Sequence, residues 1–131
     1  MSVRNAVRTV CSNYDSVKER QEPLYKDLHQ HPELSMQEKR TLSIIKGKLA
    51  DLGFEQVDVG GGVVGVLENG AGPTVMLRAD FDGLPVKEDT GLDYASTDTA
   101  VDSEGNEVAV MQACGHDSHV ASLLGMGALL A

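Results

Sequence analysis

The eight residues from Gln112 to His119, Gln-Ala-Cys-Gly-His-Asp-Ser-His, constrain this chain more than any other stretch. They combine a thiol, two imidazoles and a carboxylate, and a mainly apolar run without acidic or basic residues follows them. Side chains two residues apart on an extended backbone leave on the same side, so Cys114 and His116 can bind one cation. The run predicts a helix that begins at Asp117 as its N-cap.

The environment of Cys114 also favours metal binding, because the positive end of a helix dipole stabilises the thiolate form. His119 should lie two residues into the helix and is expected to face away from the loop. The alternative is that Cys114 is a small buried hydrophobic residue and the two histidines are hydrogen-bonded loop residues, since a lone Cys-x-His is a weak motif.

A second cluster of candidate site residues follows the apolar segment from Thr74 to Ala79. Its nearly unbroken apolar character predicts a central strand buried on both faces. Asp80 and Asp82 come directly after it, where ligands bind at the carboxyl ends of strands in open α/β sheets. The two carboxylates could bind a metal or orient a ligand imidazole. An Asx-rich turn before Pro85 is the alternative.

The remaining patterns predict helices first and short strands afterwards, which indicates an α/β layered domain spanning residues 1–131. The histidines that close the first helix, His29 and His31, are expected to satisfy its last carbonyls. Local signals predict a helix over 12–31 that Pro23 breaks or kinks, a capping box at 35–38, a helix ending at Gly53, strands over 54–59 and 63–67, and a hairpin over 99–110.

The formal net charge of −9, from 20 acidic and 11 basic residues, argues against nucleic acid or an anionic membrane as partner. Cys11 and Cys114 lie in unlike contexts, so a reducing cytoplasm is expected rather than a disulfide framework. The run from Ser118 to Ala131 is too short to span a bilayer. A helix that is apolar on nearly every face should be buried in a longer protein, and its exposure here predicts self-association.

Three stretches together resemble a known family: Leu28–Ser35 (Leu-His-Gln-His-Pro-Glu-Leu-Ser), Leu77–Pro85 (Leu-Arg-Ala-Asp-Phe-Asp-Gly-Leu-Pro) and Ala113–His119 (Ala-Cys-Gly-His-Asp-Ser-His). In this order and spacing they are similar to the N-terminal part of the metal-dependent amidohydrolases of the aminoacylase/carboxypeptidase family. The similar branch includes hippurate hydrolases, auxin-conjugate hydrolases and N-acetyl-diaminopimelate deacetylases.

The resemblance implies a partial catalytic domain with a mixed sheet flanked by helices, without the smaller lid and dimerisation domain. It implies hydrolysis of the amide bond of N-acyl amino acids or small peptides with divalent metal. Carried over by position, Cys114 and His116 would be metal ligands, and Asp80 and Asp82 would be the carboxylates that organise the catalytic site. A thiolate with an imidazole suits zinc, while manganese, cobalt and nickel remain open.

Two departures from the family pattern bear on function. Gln112 stands where members often have histidine, and the family's general base and further ligands would follow Ala131. We therefore expect the chain to be a truncated part of such an enzyme and inactive by itself. The alternatives are a non-catalytic metal- or partner-binding fragment and a related zinc aminopeptidase. The Cys-Gly-His-Asp set argues against the aminopeptidase, where carboxylate and imidazole ligands would be expected.

Overall fold

A computed structural model describes residues 2–131 and confirms the α/β class. The described residues form four helices and two separate antiparallel hairpins, each of two strands. The elements in chain order are α1 (Val3–Cys11), α2 (Tyr14–Gln30), α3 (Lys39–Asp51), β1 (Glu55–Val59), β2 (Gly62–Val66), β3 (Thr99–Val101), β4 (Glu107–Ala109) and α4 (His116–Leu130).

Helix α2 fulfils the prediction for the first helical pattern, with one difference. Pro23 lies inside the helix without ending it. Val17 and Leu28 are buried on its inner face. The last turn of the helix carries His29.

Helix α3 begins at Lys39 and is not capped by the predicted box at 35–38. Met36 has a φ of 67°, which interrupts the helical path there. The carboxylate of Glu33 instead accepts the backbone N–H groups of Arg40 and Thr41 at 2.9 and 2.7 Å. A side chain outside the predicted box thus satisfies two of the free donors of the first turn.

Both hairpins form where the sequence predicts them. Strands β1 and β2 pair from Glu55 opposite Val66 to Val59 opposite Gly62, and β3 pairs with β4 around the turn at 102–106. Gly53 ends α3 with a φ of 79°, as expected for the residue that follows a helix.

The prediction of a central strand over 74–79 is wrong for the part of the chain that the structure describes. These residues make no backbone hydrogen bond to another segment within 2–131. Val75, Met76 and Leu77 are 76 %, 82 % and 54 % exposed. The apolar pattern indicates a strand, but no described strand lies beside the segment to pair with it. Only its end, at Ala79, packs against the core.

The core lies between α2, α3 and α4 and is formed by Leu28, Ile45, Val120 and Leu124. Helix α4 buries one face against the other two helices, and Val120 is only 3 % exposed. The expectation that α4 is exposed in this chain is therefore wrong for that face. None of the helices within residues 2–131 combines the length and the apolar character that a membrane crossing requires.

Candidate metal centre

Asp80, His116 and His119 bring a carboxylate and two imidazoles together. One potential ligand atom of each lies within 4.8 Å of the others. Oδ1 of Asp80 is 3.2 Å from Nδ1 of His119 and 3.5 Å from Nε2 of His116. A single carboxylate oxygen thus faces both imidazoles.

The start of α4 aligns the two imidazoles. Gly115 precedes the helix with a φ of 76°, and its carbonyl accepts the N–H groups of Ser118 and His119 at 3.1 and 3.3 Å. His116 and His119 are three residues apart and therefore neighbours on one helix face. Their ring centroids lie 5.6 Å apart. The expectation that His119 faces away from the loop is wrong, because the N-cap is Gly115 and the helix begins two residues earlier than predicted.

Asp82 approaches His116 from the other side of the ring. Its Oδ1 lies 3.0 Å from Nδ1 of His116, and its backbone carbonyl lies 3.1 Å from the same nitrogen. Asp80 faces Nε2, so the two carboxylates hold opposite ring nitrogens. The structure places both predicted carboxylates beside the loop, while their catalytic role stays a prediction.

The electrostatics favour an ionised Asp80. Its hydrogen bond with His119 lowers the pKa of Asp80 and outweighs the opposing effect of partial burial. The nearby charges of His116 and Arg78 act in the same direction. An ionised carboxylate between two imidazoles is prepared to accept a cation.

Cys114 is exposed and is not one of the three clustered residues. Its role as a metal ligand stays a prediction. Gln112 is 5 % exposed and directs its amide nitrogen to the carbonyl of Phe81 at 3.5 Å. Its Oε1 has no hydrogen-bond partner among the described residues. The loop that carries the site therefore contains a buried hydrogen-bond acceptor, Oε1 of Gln112, without a donor among the described residues.

Asp117 joins a buried network and does not cap the helix as predicted. Gly115 takes the N-cap position, while Asp117 lies in the first turn at 2 % exposure. Its Oδ2 is 2.6 Å from Nδ1 of His29, and Nε2 of that ring is 3.0 Å from Oε1 of Glu88. The expectation that His29 satisfies helix carbonyls is wrong, because both ring nitrogens face carboxylates. His31 instead lies 3.1 Å from a carboxylate oxygen of Asp98.

Glu88 was missed by sequence reasoning because residues 86–98 carry no regular pattern. Its carboxylate also accepts the N–H of Ser96 at 2.6 Å and the hydroxyl of Thr90. Burial would raise the pKa of Glu88, yet the hydrogen bonds from Thr90, His29 and Ser96 together lower it. The two histidines at the end of α2 were the one sequence signal of this network. Their carboxylate partners could not be recognised, because they lie far away in sequence and meet the histidines only in the folded chain.

Burial is also the largest effect on His29, and it disfavours the charged imidazole. The hydrogen bonds and charges of Glu88 and Asp117 outweigh it and raise the pKa of His29. The rings of Tyr25 and Tyr94 lie 5.7 and 5.4 Å from the imidazole. Burial raises the pKa of Tyr25, assisted by the charge of Asp117. A charged imidazole between two carboxylates is the arrangement that lets all three groups be buried.

The donor set of the cluster formed by Asp80, His116 and His119 fits a divalent cation. Two imidazoles and one carboxylate are the ligand types of a catalytic zinc site, which keeps a further position open. His116 already has Asp82 on its second nitrogen, as metal-binding histidines usually have a carboxylate or carbonyl there. The residues present are therefore suited to bind a metal.

Comparison with known proteins agrees with this chemistry. The model of peptidase family M20/M25/M40 matches residues 76–131, which include the whole cluster. The chain is 41 % identical over 109 residues to the N-acetyl-L-cysteine deacetylase of Bacillus subtilis and 40 % identical over 106 residues to the hippurate hydrolase of Campylobacter jejuni. Each match covers 79 % of this chain.

A solved structure extends the similarity to the fold. The YxeP protein of Bacillus subtilis, described as a dinuclear metal-binding peptidase of the M20 family, superposes with a TM-score of 0.71 at 35 % identity over 84 % of this chain. The chain spans 23 % and 25 % of the length of the two curated relatives and 30 % of the YxeP chain. The chain is therefore similar, in sequence and in fold, to part of the proteins of peptidase family M20/M25/M40, whose model matches residues 76–131.

Proposed function

We propose that residues 1–131 contribute part of the metal site of an enzyme that hydrolyses the amide bond of N-acyl amino acids or small peptides. The cluster of Asp80, His116 and His119 is the observation that carries this proposal. The deacetylase and the hippurate hydrolase among the relatives support the substrate class. Because the chain spans under a third of these proteins, the activity is proposed for the complete enzyme.

The cation would be held by His116 together with Asp80 and His119. Cys114, two residues before His116, is proposed as a further ligand from the same loop. The YxeP protein is dinuclear, so a second cation could share this set of donors. Zinc suits imidazole and thiolate ligands best, while manganese, cobalt and nickel are the other candidates.

A bound divalent cation supplies Lewis acidity, which polarises an amide carbonyl and makes water a stronger acid. The chain's own residues hold and orient the ligands for that step. Asp82 fixes the ring of His116 through Nδ1, and Asp80 keeps a negative charge beside both imidazoles. No side chain of this cluster is assigned as general base. Without a positioned base, worth about a hundred- to ten-thousandfold in rate, the chain alone is expected not to turn over substrate.

The remaining proposals concern location and association. The two free cysteines, Cys11 and Cys114, are both exposed, which suits a reducing cytoplasm. We expect the chain to self-associate through apolar side chains of the unpaired segment at 74–79. The net charge of −9 disfavours nucleic acid and anionic membranes as partners.

The test is calorimetric titration of the purified chain with zinc and manganese, alongside an assay with an N-acetyl amino acid. Wild-type chain should bind metal, His116→Ala should lose binding, and no variant should show turnover. The Cys114→Ala variant decides whether the thiol contributes to affinity. Absence of metal binding by the wild-type chain would refute the site. Turnover that requires Cys114 would refute the expected inactivity and show that the chain assembles a complete site.

A further inference from the structure

We propose that the buried triad of His29, Glu88 and Asp117 is a positioning device that sets the affinity of the metal centre without touching the cation. The inference rests on the metal site proposed above. None of the three residues belongs to the cluster of Asp80, His116 and His119, and His29 comes from α2, far from that cluster in sequence. The triad therefore acts through the first turn of α4.

The connection to the site runs through Asp117. It lies between the two imidazole residues of α4, one residue after His116 and two before His119. Oδ2 of Asp117 is bound by His29, and Oδ1 accepts the N–H of Ser118 at 2.8 Å. The side chain thus holds the first helical turn from both of its oxygens. Any rotation of this turn would move both imidazoles relative to Asp80.

Burial gives the triad its strength. Side-chain exposure is 7 % for His29, 2 % for Asp117 and zero for Glu88. Removing one member of a buried charged pair leaves an uncompensated charge, which is strongly destabilising locally. If His29 were lost, Asp117 and Glu88 would face each other's charge with no imidazole between them. The cheapest relief would be for Asp117 to move towards solvent, and the first turn of α4 would move with it.

Glu88, at the end of the triad opposite Asp117, is also held by several hydrogen bonds. Glu88 is held by the N–H of Ser96 and the hydroxyl of Thr90, in addition to His29. Ser96 in turn donates its hydroxyl to the carbonyl of Val110 at 2.8 Å. The triad therefore ties three parts of the chain together, namely the end of α2, the irregular segment at 86–98 and the start of α4. Comparable supports of metal ligands change affinity by about 10- to 100-fold when they are mutated.

The experiment measures zinc affinity of folded chain by calorimetry, with helicity checked by circular dichroism under the same conditions. His29→Gln keeps one amide donor but cannot bridge two carboxylates, and it should weaken zinc binding by about 10- to 100-fold. His31→Gln is the matched control, because His31 ends the same helix and pairs with Asp98 outside the triad. It should bind zinc within about twofold of wild type.

A second variant keeps the inference testable if His29→Gln fails to fold. Glu88→Gln preserves the size of the side chain. Because Glu88 is connected to Asp117 through His29, this variant should still weaken zinc binding several-fold. If His29→Gln is unfolded, Glu88→Gln decides the outcome alone. A purely structural triad would lower the unfolding free energy and leave the affinity of the folded chain unchanged, which would overturn the inference. Wild-type chain that binds no zinc would overturn both proposals, whereas normal wild-type binding with unaffected variants would overturn this one only.

Discussion

Asp80 is the residue around which the candidate centre is arranged. Its Oδ1 faces one nitrogen of His116 and one of His119, and its carboxyl group is about one-third exposed. In the described geometry the same oxygen can accept hydrogen bonds from both imidazoles or bind a cation beside them. Its lowered pKa keeps the charge that either arrangement requires.

Replacing that charge should therefore weaken metal binding while leaving the fold intact. Asp80→Asn keeps the size of the side chain and removes the negative charge, so zinc affinity should fall at least about tenfold. Asp89→Asn removes the same charge at an exposed position and should leave affinity unchanged. Calorimetric titration at one ionic strength measures both. Equal affinities for the two variants would show that Asp80 contributes only to the net charge.

The residue pair His29 and Glu88 predicts a pH dependence of stability. The pKa of His29 is raised above its ordinary 6.5, so its contribution is complete below 6.5 and is lost as the pH rises through the raised value. The pKa of Glu88 is lowered below its ordinary 4.5, so its contribution is complete above 4.5 and is lost as the pH falls through the lowered value. The triad should stabilise the fold most between about pH 4.5 and 6.5.

Urea unfolding of wild type and His29→Gln at pH 5.5, 7 and 8.5 measures this dependence. The difference in unfolding free energy should be largest at pH 5.5, where loss of one member of a buried charged pair costs about 3–5 kcal/mol. It should shrink towards pH 8.5 as the wild-type imidazole loses its proton. A difference that stays constant or grows with pH would show that His29 is buried as a neutral ring.

At the scale of elements, the segment from Pro32 to Leu34 connects α3 to the site. The carbonyl of Glu33 accepts the N–H of Gly83 at 2.7 Å, and Gly83 directly follows Asp82. A Cβ on Gly83 would lie 3.0 Å from Cβ of Pro32, so only glycine permits this approach without a shift. Because the side chain of Glu33 also caps α3, one residue fixes both the helix and the loop of carboxylates.

The cap can be tested by comparing two glutamates. Glu33→Ala leaves two N–H groups of α3 without their acceptor and should lower the unfolding free energy by about 1–2 kcal/mol. Glu38 occupies the N-cap position itself but makes no capping hydrogen bond with its side chain. Glu38→Ala should therefore change stability by less than about 0.5 kcal/mol. Urea unfolding at pH 7 measures the unfolding free energy of both variants. Equal losses of unfolding free energy would show that Glu33 does not cap α3.

The elements that sequence patterns predicted well are those fixed by local chemistry. The hairpin around Gly60 and Gly61 and the end of α3 at Gly53 follow from turn glycines and nearby residues alone. The starts of α3 and α4 were not predicted correctly. A distant carboxylate caps the first, and the second begins early because Asp117 is directed into a buried network instead of capping.

The same distinction holds for the site. The motifs singled out His116 and both carboxylates as candidates, because these residues lie in short dense stretches of reactive residues. His119 was misjudged because the helix begins two residues earlier than predicted, and each residue of shift turns a side chain by about 100° around the helix axis. Glu88 could not be found, since its role depends on a contact with His29, which lies 59 positions away in sequence. Local sequence patterns do not reveal contacts between residues that are distant in sequence.

At the scale of the whole molecule, the described chain leaves an extended apolar segment uncovered. Residues 74–79 present unpaired backbone groups beside exposed Val75, Met76 and Leu77. An exposed, unpaired, apolar strand is a template for pairing with another chain. Helix α4, by contrast, buries its inner face against α2 and α3, so it is not the principal source of exposed apolar surface.

Self-association of the purified chain should therefore depend on this segment and fall when a charge is placed there. Met76→Lys puts a charge at the middle of the segment, where Met76 is 82 % exposed and makes no contribution to the core. A lysine on an edge strand opposes pairing with a second chain, since two such charges would lie close together. The average mass measured by light scattering at high protein concentration should approach that of one chain.

Met36→Lys is the matched control, because Met36 is also 82 % exposed but lies in a turn before α3. It adds the same charge and removes the same side chain, so it separates a local effect on pairing from a general change in net charge. The wild-type chain and Met36→Lys should self-associate to the same extent, whereas Met76→Lys should self-associate less. Wild-type chain that is monomeric at high concentration, or association that persists equally in both variants, would show that 74–79 does not pair and that its apolar side chains stay in solvent.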